Sequence, residues 1–445
     1  MNQHADIAAP SQEGRGETRW NARRINAWMA WVPFFACAVL AFRYAYDAPY
    51  WDEWMYVVPI AKAFSGDLAL GDFVVHVNEH IYVVSSLIVI SLARLTHWDI
   101  RFEIVLILLL YAATFLLLLG ALRGPGNVRR EAESLWAAPL IALLLFSPSQ
   151  HAVWNWGLHL SIAVSVLSLV AALRFLSLEH FNLWHLGVSC MLGWMATFSI
   201  GGGLSIWPAG TIALLVRPAS TPRARIRDAG IWLIAGVAAS ATYVLAGDKL
   251  PESTAQLASR SQDIIYYVLA YLGGPISPYN GHVAAAVGLS LVVLVTILLT
   301  RRWRALSDPF LLGLLSIGVT VGLLTALKHA HEGAANAVSS RFLPWPTLTW
   351  CAVLCAVFGV FPRFTRAPRV VRIMLCAGSV GILIGWGIGA YKADERYDAF
   401  ALGRHALLDG TDNPNIQFFH PDPATVAELR PLLIDHRLSL FRSDD

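Results

Sequence analysis

The sequence predicts an all-α protein that crosses a membrane many times, and three observations lead there. Hydrophobic residues make up 56% of the 445 and charged ones 14%, about half the share of roughly 25% usual in a soluble domain. Apolar runs close to the roughly 20 residues that a bilayer requires recur along the chain. Lys and Arg gather in polar segments between those runs, as they do on the cytoplasmic side of membrane proteins. The net charge of +3 is too small to point to nucleic acid, so the distribution of charge carries the information. The five cysteines, Cys37, Cys190, Cys351, Cys355 and Cys376, lie in apolar runs and imply no disulfide framework.

Taken in order, residues 1–27 are polar and carry Arg15, Arg19, Arg23 and Arg24. They read as a cytoplasmic tail, because the apolar run that follows has no small-residue cleavage site. A membrane domain over 28–391 then has about eleven spans. The first six are Trp28 to Tyr44, Phe102 to Leu122, Leu135 to Ser149, His159 to Leu173, Trp184 to Ile200 and Leu204 to Val216. The last five are Ala229 to Ala246, Val283 to Thr300, Phe310 to Leu327, Trp345 to Phe361 and Ile373 to Tyr391.

The run Ile81 to Leu95 is apolar but short, and Arg94, His97, Asp99 and Arg101 crowd its end. Laid on the outer face as an interfacial helix, it leaves every Arg cluster inside: 123/129/130, 217/223/225/227, 301/302/304 and 363/366/369/372. Inner segments then carry net positive charge and outer ones net negative charge. The positive-inside rule selects this arrangement, N-terminus in and C-terminus out. The long outer segments are 47–101, 247–282, 328–344 and a C-terminal tail, 392–445. That tail reads as a small outer cap, too short for a sizeable core of its own. Gly201-Gly202-Gly203 reads as a tight outer turn, since it lacks the strand and Lys of a phosphate loop.

Residues 47–101 concentrate polar chemistry in an otherwise apolar chain. Asp52 and Glu53 follow the first span directly, bracketed by Tyr50, Trp51, Trp54 and Tyr56, rings of the kind that favour a membrane interface. A carboxylate there could act as general base on an acceptor hydroxyl; it could equally mark an acidic loop end. His76, Glu79 and His80, at i, i+3 and i+4, fall on one face if the segment is helical, with Asn78 between them. A divalent metal bound by the three would neutralise a leaving phosphate; the same residues could donate hydrogen bonds without metal, or cap a helix. His151, Asn155 and His159 are spaced by four beside Trp154 and Trp156, as one wall of a sugar pocket or as an interfacial belt. Lys328, with His329 and His331, and Ser340 with Arg341, form a cationic group suited to a phosphate headgroup.

This layout resembles the GT-C superfamily of polytopic membrane glycosyltransferases, in the position of the Asp52-Glu53 pair and of the interfacial run after it. The resemblance implies a polyprenyl-phosphate sugar donor, a glycan or lipid acceptor, an early Asp as base, and a site on the outer face of a bacterial inner membrane. It covers the architecture of most of the chain on a two-residue motif. The second outer loop departs from the pattern, with His151 and His159 where other branches carry an acid. The expected activity is inverting sugar transfer, by Asp52 with Glu53. The rivals are a lipid or solute transporter, disfavoured by nearly acid-free spans, and an O-antigen-type polymerase or ligase, which would favour Arg-rich outer loops.

Overall fold

Runs rich in Leu, Val, Ala and Ile favour helix once their faces are buried, and the chain folds accordingly. The structure, a computed structural model, describes residues 28–78, 80–122, 137–217, 221–246, 260–301, 307–360, 368–410 and 414–442. Helix α1 is Val32–Arg43. A 3₁₀ turn, Trp51–Tyr56, runs into α2, Val57–Ser65, which Gly66 ends in the left-handed conformation (φ 87°). Strands β1 (Val75–Val77) and β2 (His80–Tyr82) pair antiparallel. Then come α3 (Val84–Thr96), α4 (Arg101–Leu122), α5 (Ala137–Leu145), the short α6 (His151–Asn155), α7 (Leu160–Leu176) and α8 (Leu183–Thr197). A 3₁₀ turn, Gly201–Ser205, opens α9 (Ile206–Val216), followed by α10 (Pro222–Ala246), α11 (Ser261–Gly273) and α12 (Gly281–Arg301). The remainder is α13 (Pro309–His329), the one-turn α14 (Ala334–Ala337), α15 (Pro344–Val360), α16 (Arg369–Asp409) and α17 (Pro423–Asp435).

Among the described residues six helical segments are long and apolar enough to cross a membrane: Arg101–Gly120, Gly157–Leu176, Pro222–Ala246, Gly281–Thr300, Pro309–Glu332 and Arg369–Asp409. Helices α1, α3 and α15, and α9 with its lead-in turn, are apolar but shorter. Five of the eleven expected spans, Trp28 to Tyr44, Leu135 to Ser149, Trp184 to Ile200, Leu204 to Val216 and Trp345 to Phe361, are not among these six. Leu135 to Ser149 yields only the nine-residue α5, because Ser147 caps a new 3₁₀ turn at Pro148, and Trp184 to Ile200 yields the 15-residue α8.

Helix α7 is central, 78% buried across its span, and packs on α4, α8, α9 and α13. Gly273 and Gly288 bring α11 and α12 close, each glycine lying against backbone of the other helix, the small-residue contact of membrane helices. By contrast α10, α12 and α16 are 28%, 28% and 17% buried. Their outer faces carry Ile234, Val237, Val293, Ile297, Leu383 and Ile384 in the open. Apolar faces of that extent are what lipid covers.

The segment His76 to His80 is not helical. Val77 pairs with His80 and His76 with Ile81, across a two-residue connection that starts with Asn78 in the left-handed conformation (φ 53°). Valine, isoleucine and tyrosine in alternation favour strand, and asparagine tolerates that turn. Because faces alternate along a strand, His76 and His80 lie on opposite faces of the ribbon, which splits the expected three-ligand metal site. Glu79 lies outside the described residues. Among the described residues no group of three or more His, Cys, Asp and Glu is placed to hold a metal.

Helix α16 runs unbroken for 41 residues through the expected boundary at 391/392. Beyond it, 414–442 pack against the segment 47–101. Helix α17 sits on α2, Trp51 N–H donates to Phe419 O (2.5 Å), and Ser439 N–H donates to His97 O (2.9 Å).

Candidate functional site

A cavity of about 430 Å³ opens where the segment 47–101, the lead-in to α7, the Gly201 turn and the ends of α10 and α13 converge. Asp52 lines it. The preceding residue, Trp51, holds φ 49°, uncommon for a bulky side chain, and its tie to Phe419 O fixes the bend. Asp52 emerges half-buried at the start of the 3₁₀ turn.

Asn78, His80 and Tyr82 of the hairpin form the adjoining wall. His80 Nδ1 lies 3.2 Å from the Tyr243 hydroxyl at the end of α10. Gly201 and Gly202 also line the cavity, so the glycine run is more than a turn. A Cβ on Gly201 would sit 3.0 Å from both His80 Nδ1 and Tyr243 Oη, and one on Gly202 would sit 2.6 Å from the Trp345 ring. The absent side chains let the wall close on bare backbone. This turn opens α9 and has no side-chain cap, so a helix start, with its partial positive charge, borders the cavity.

The cationic residues come from the end of α13 and the segment before α15. Lys328, His329 and Arg341 all line the cavity. His329 is tied to Glu332 at 2.6 Å, and the Arg341 guanidinium lies 4.9 Å from the Phe342 ring centroid. His159 contributes from the other side, its Nδ1 held 2.8 Å from Ala152 O. Asp52, Asn78, His80, His159, Lys328 and Arg341 thus converge from four distant stretches of chain.

Other predicted residues stand back from the cavity. Glu53 is 2% exposed; its carboxylate accepts from Tyr50 N–H and Leu158 N–H, each at 2.8 Å. Burial pushes its pKa up, against the two backbone donors and Arg396. Both Glu53 and Glu103 reach the space a side chain at Gly157 would fill, so Glu53 locks the Asp52 turn to the lead-in of α7. His76 is exposed and outside the cavity lining. The four-residue spacing of His151, Asn155 and His159 does not make one face, because α6 ends at an extended Trp156. Asn155 reaches Tyr44 O at 3.5 Å, and His151 Nε2 lies 3.5 Å from Ser340 Oγ. Burial, with the charges of Arg396 and Lys392, pulls the His151 pKa down to about 4.

Tyr243, Trp156 and Trp345 join the wall, and Arg396 of α16 stacks behind it, 4.3 Å from the Tyr50 ring centroid and 5.5 Å from Trp156. Tyr243 is a lone polar residue near the end of α10, and Arg396 is one of several charges in the run Lys392 to Asp398 inside α16, so neither is singled out by local sequence. The arrangement can place a hydroxyl near a carboxylate and an anion near two cations within one cavity. No protein-family model, curated protein or solved structure matches the chain.

Proposed function

We propose that the protein is a membrane glycosyltransferase that moves a sugar from a polyprenyl-phosphate donor to a hydroxyl of an exported glycan or lipid, with inversion. The observation that carries this reading is the single cavity lined by Asp52 together with Lys328 and Arg341. Its volume of about 430 Å³ falls within the usual range for small-ligand sites. In this reading the chain has eleven spans in a bacterial inner membrane, its N-terminus is cytoplasmic, and the cavity opens outside.

Chemically, the acceptor oxygen attacks the anomeric carbon as Asp52 takes its proton, and the bond from that carbon to the phosphate oxygen breaks. Polyprenyl phosphate leaves carrying the bonding pair. Lys328, Arg341 and the start of the Gly201 turn meet the charge that grows on it. Glu53 holds the turn that presents Asp52. His80, set by Tyr243, orients the sugar or phosphate.

Purified protein in lipid, given radiolabelled polyprenyl-phosphate sugars and envelope extract, tests this. Asp52→Asn is expected to lower transfer by about 10²- to 10⁴-fold, the usual share of a general base, and Arg341→Ala to raise the donor KM. Undiminished transfer by Asp52→Asn would overturn the base. Uptake of the lipid without covalent product would point to transport, and a block polymer as product to a polymerase.

A further inference from the structure

A histidine and a glutamate are paired at the cation-bearing end of the cavity. His329 lines the cavity with Lys328 and Arg341, and its side chain is 17% exposed, so it is not sealed in the wall. The pair has a local origin. Ala330–Glu332 is a 3₁₀ turn at the end of α13, where side chains three residues apart eclipse, and this sets Glu332 Oε1 2.6 Å from His329 Nδ1. Gly333, at φ 82°, then turns the chain into α14 and brings Asn336 back to the carboxylate. Asn336 Nδ2–H donates to Glu332 Oε2 (2.6 Å), and the buried Tyr267 of α11 donates its hydroxyl to Asn336 Oδ1 (2.7 Å). The carboxylate is thereby anchored to α11 on one side and holds the histidine on the other.

That contact decides how the imidazole can act. An ionised carboxylate only accepts, so Nδ1 carries the hydrogen and is occupied by Glu332. Glu332 is not among the described lining residues; with Nδ1 turned to it, the ring edge that bears Nε2 is the one left to the cavity. In the imidazolium form Nε2–H is a charged donor. The Phe342 ring stands between this donor and the neighbouring cation, its centroid 5.9 Å from that of His329 and 4.9 Å from the Arg341 guanidinium, so the two border one corner of the cavity. The proposed reaction gains from a third donor there. A prenyl-phosphate sugar is a diester with one negative charge, whereas the departing phosphate monoester carries about 1.5–2 at pH 7. A donor that meets the added charge as it forms lowers the barrier.

We infer that His329, oriented by Glu332, donates Nε2–H to the phosphate oxygen that departs from the sugar, so that the cavity holds the departing monoester in preference to the diester. The proton stays on Nε2, the bonding pair stays on the departing oxygen, and the acceptor's proton goes to Asp52. His329 is then a catalytic residue and Glu332 a positioning residue. The inference rests on the glycosyltransferase reading and adds a residue to the same site.

Equilibrium binding to the purified full-length protein in nanodiscs at pH 7 tests it without turnover. The probes are a prenyl monophosphate and its methyl ester, a diester with one charge. The wild type is expected to bind the monophosphate more tightly. His329→Gln keeps a polar side chain without a cation. It is expected to weaken the monophosphate by about tenfold or more, the worth of a hydrogen bond to a charged group, and the methyl ester by no more than about threefold. Glu332→Gln is expected to lower the same preference by a smaller factor. Equal weakening of both probes overturns the inference and marks the pair as a strap between α13 and α14. A wild type without the preference, or a preference unchanged in His329→Gln, also overturns it, and a preference unchanged in Glu332→Gln removes the positioning role. If the wild type binds neither probe, the glycosyltransferase reading falls and the inference falls with it; if it binds them and His329 has no effect, that reading stands and His329 alone is removed from it.

Discussion

Asp52 and Glu53 are neighbours in sequence with opposite surroundings. Asp52 is half-buried on the cavity, whereas Glu53 is enclosed, accepting two backbone hydrogen bonds beside Glu103 and Gly157. Desolvation disfavours the charged carboxylate, so the folded state holds a proton on Glu53 over a pH range in which the unfolded chain has lost it. The sign follows by linkage: the stability contributed by protonated Glu53 is complete below its unfolded pKa and is lost as pH rises through the raised folded value. The apparent Tm in lipid or detergent is therefore expected to fall from about pH 5 to about pH 8. Glu53→Gln, which cannot ionise, should flatten that slope while lowering Tm at pH 5, since an amide oxygen replaces a carboxyl that met two donors. An unchanged slope in the variant would remove Glu53 as its source.

At the scale of elements, the β1–β2 ribbon decides which histidine reaches the cavity. His80 lies on it, set by Tyr243, and His76 lies on the other face. Transfer by His80→Ala is expected to drop by roughly tenfold or more, as for loss of a polar group that orients substrate, whereas His76→Ala should stay within about twofold. Equal losses would restore a joint role. The membrane character and the charged members of the cavity are legible in the sequence: Asp52 because a charge beside an apolar span has few reasons to be there, Lys328 and Arg341 because cations grouped in one polar segment suit a phosphate. The ribbon was misread because the spacing of His76, Glu79 and His80 suits a helix face, while Val74 to Tyr82 also carries the alternation of a strand. Two strands of three residues each depend on pairing that a linear reading does not see. Tyr243, Trp156 and Trp345 enter the cavity through tertiary packing, and α6 breaks the four-residue spacing that put Asn155 and His151 beside His159.

At the scale of the whole molecule, the two ends of the described chain are built into one unit at the mouth of the bundle. The Tyr46 hydroxyl donates to Phe400 O (2.9 Å) and Ser439 Oγ donates to Asp47 O (3.1 Å). Arg442 is paired with Asp47 and, at 2.9 Å, with Asp99. Phe419, Leu433 and Leu438 are fully buried in this contact region and its surroundings, so the C-terminal cap shares a core with the segment that bears Asp52. A chain ended at Asp409 loses Phe419 O, which anchors the left-handed Trp51, and loses the counter-charge of Asp47. Charge-assisted hydrogen bonds of this kind are worth about 1.5–3 kcal/mol each, and apolar burial is lost with them. That chain is expected to insert in the membrane, since α16 and the other long apolar helices are intact, yet to lose transfer by about 100-fold or more. Limited proteolysis should then cut within 47–101, where the full-length protein resists. Arg442→Ala should move both readouts in the same direction by a smaller amount. Full activity together with protease resistance in the shortened chain would separate the cap from the site and leave the Asp52 turn to be held by Glu53 alone.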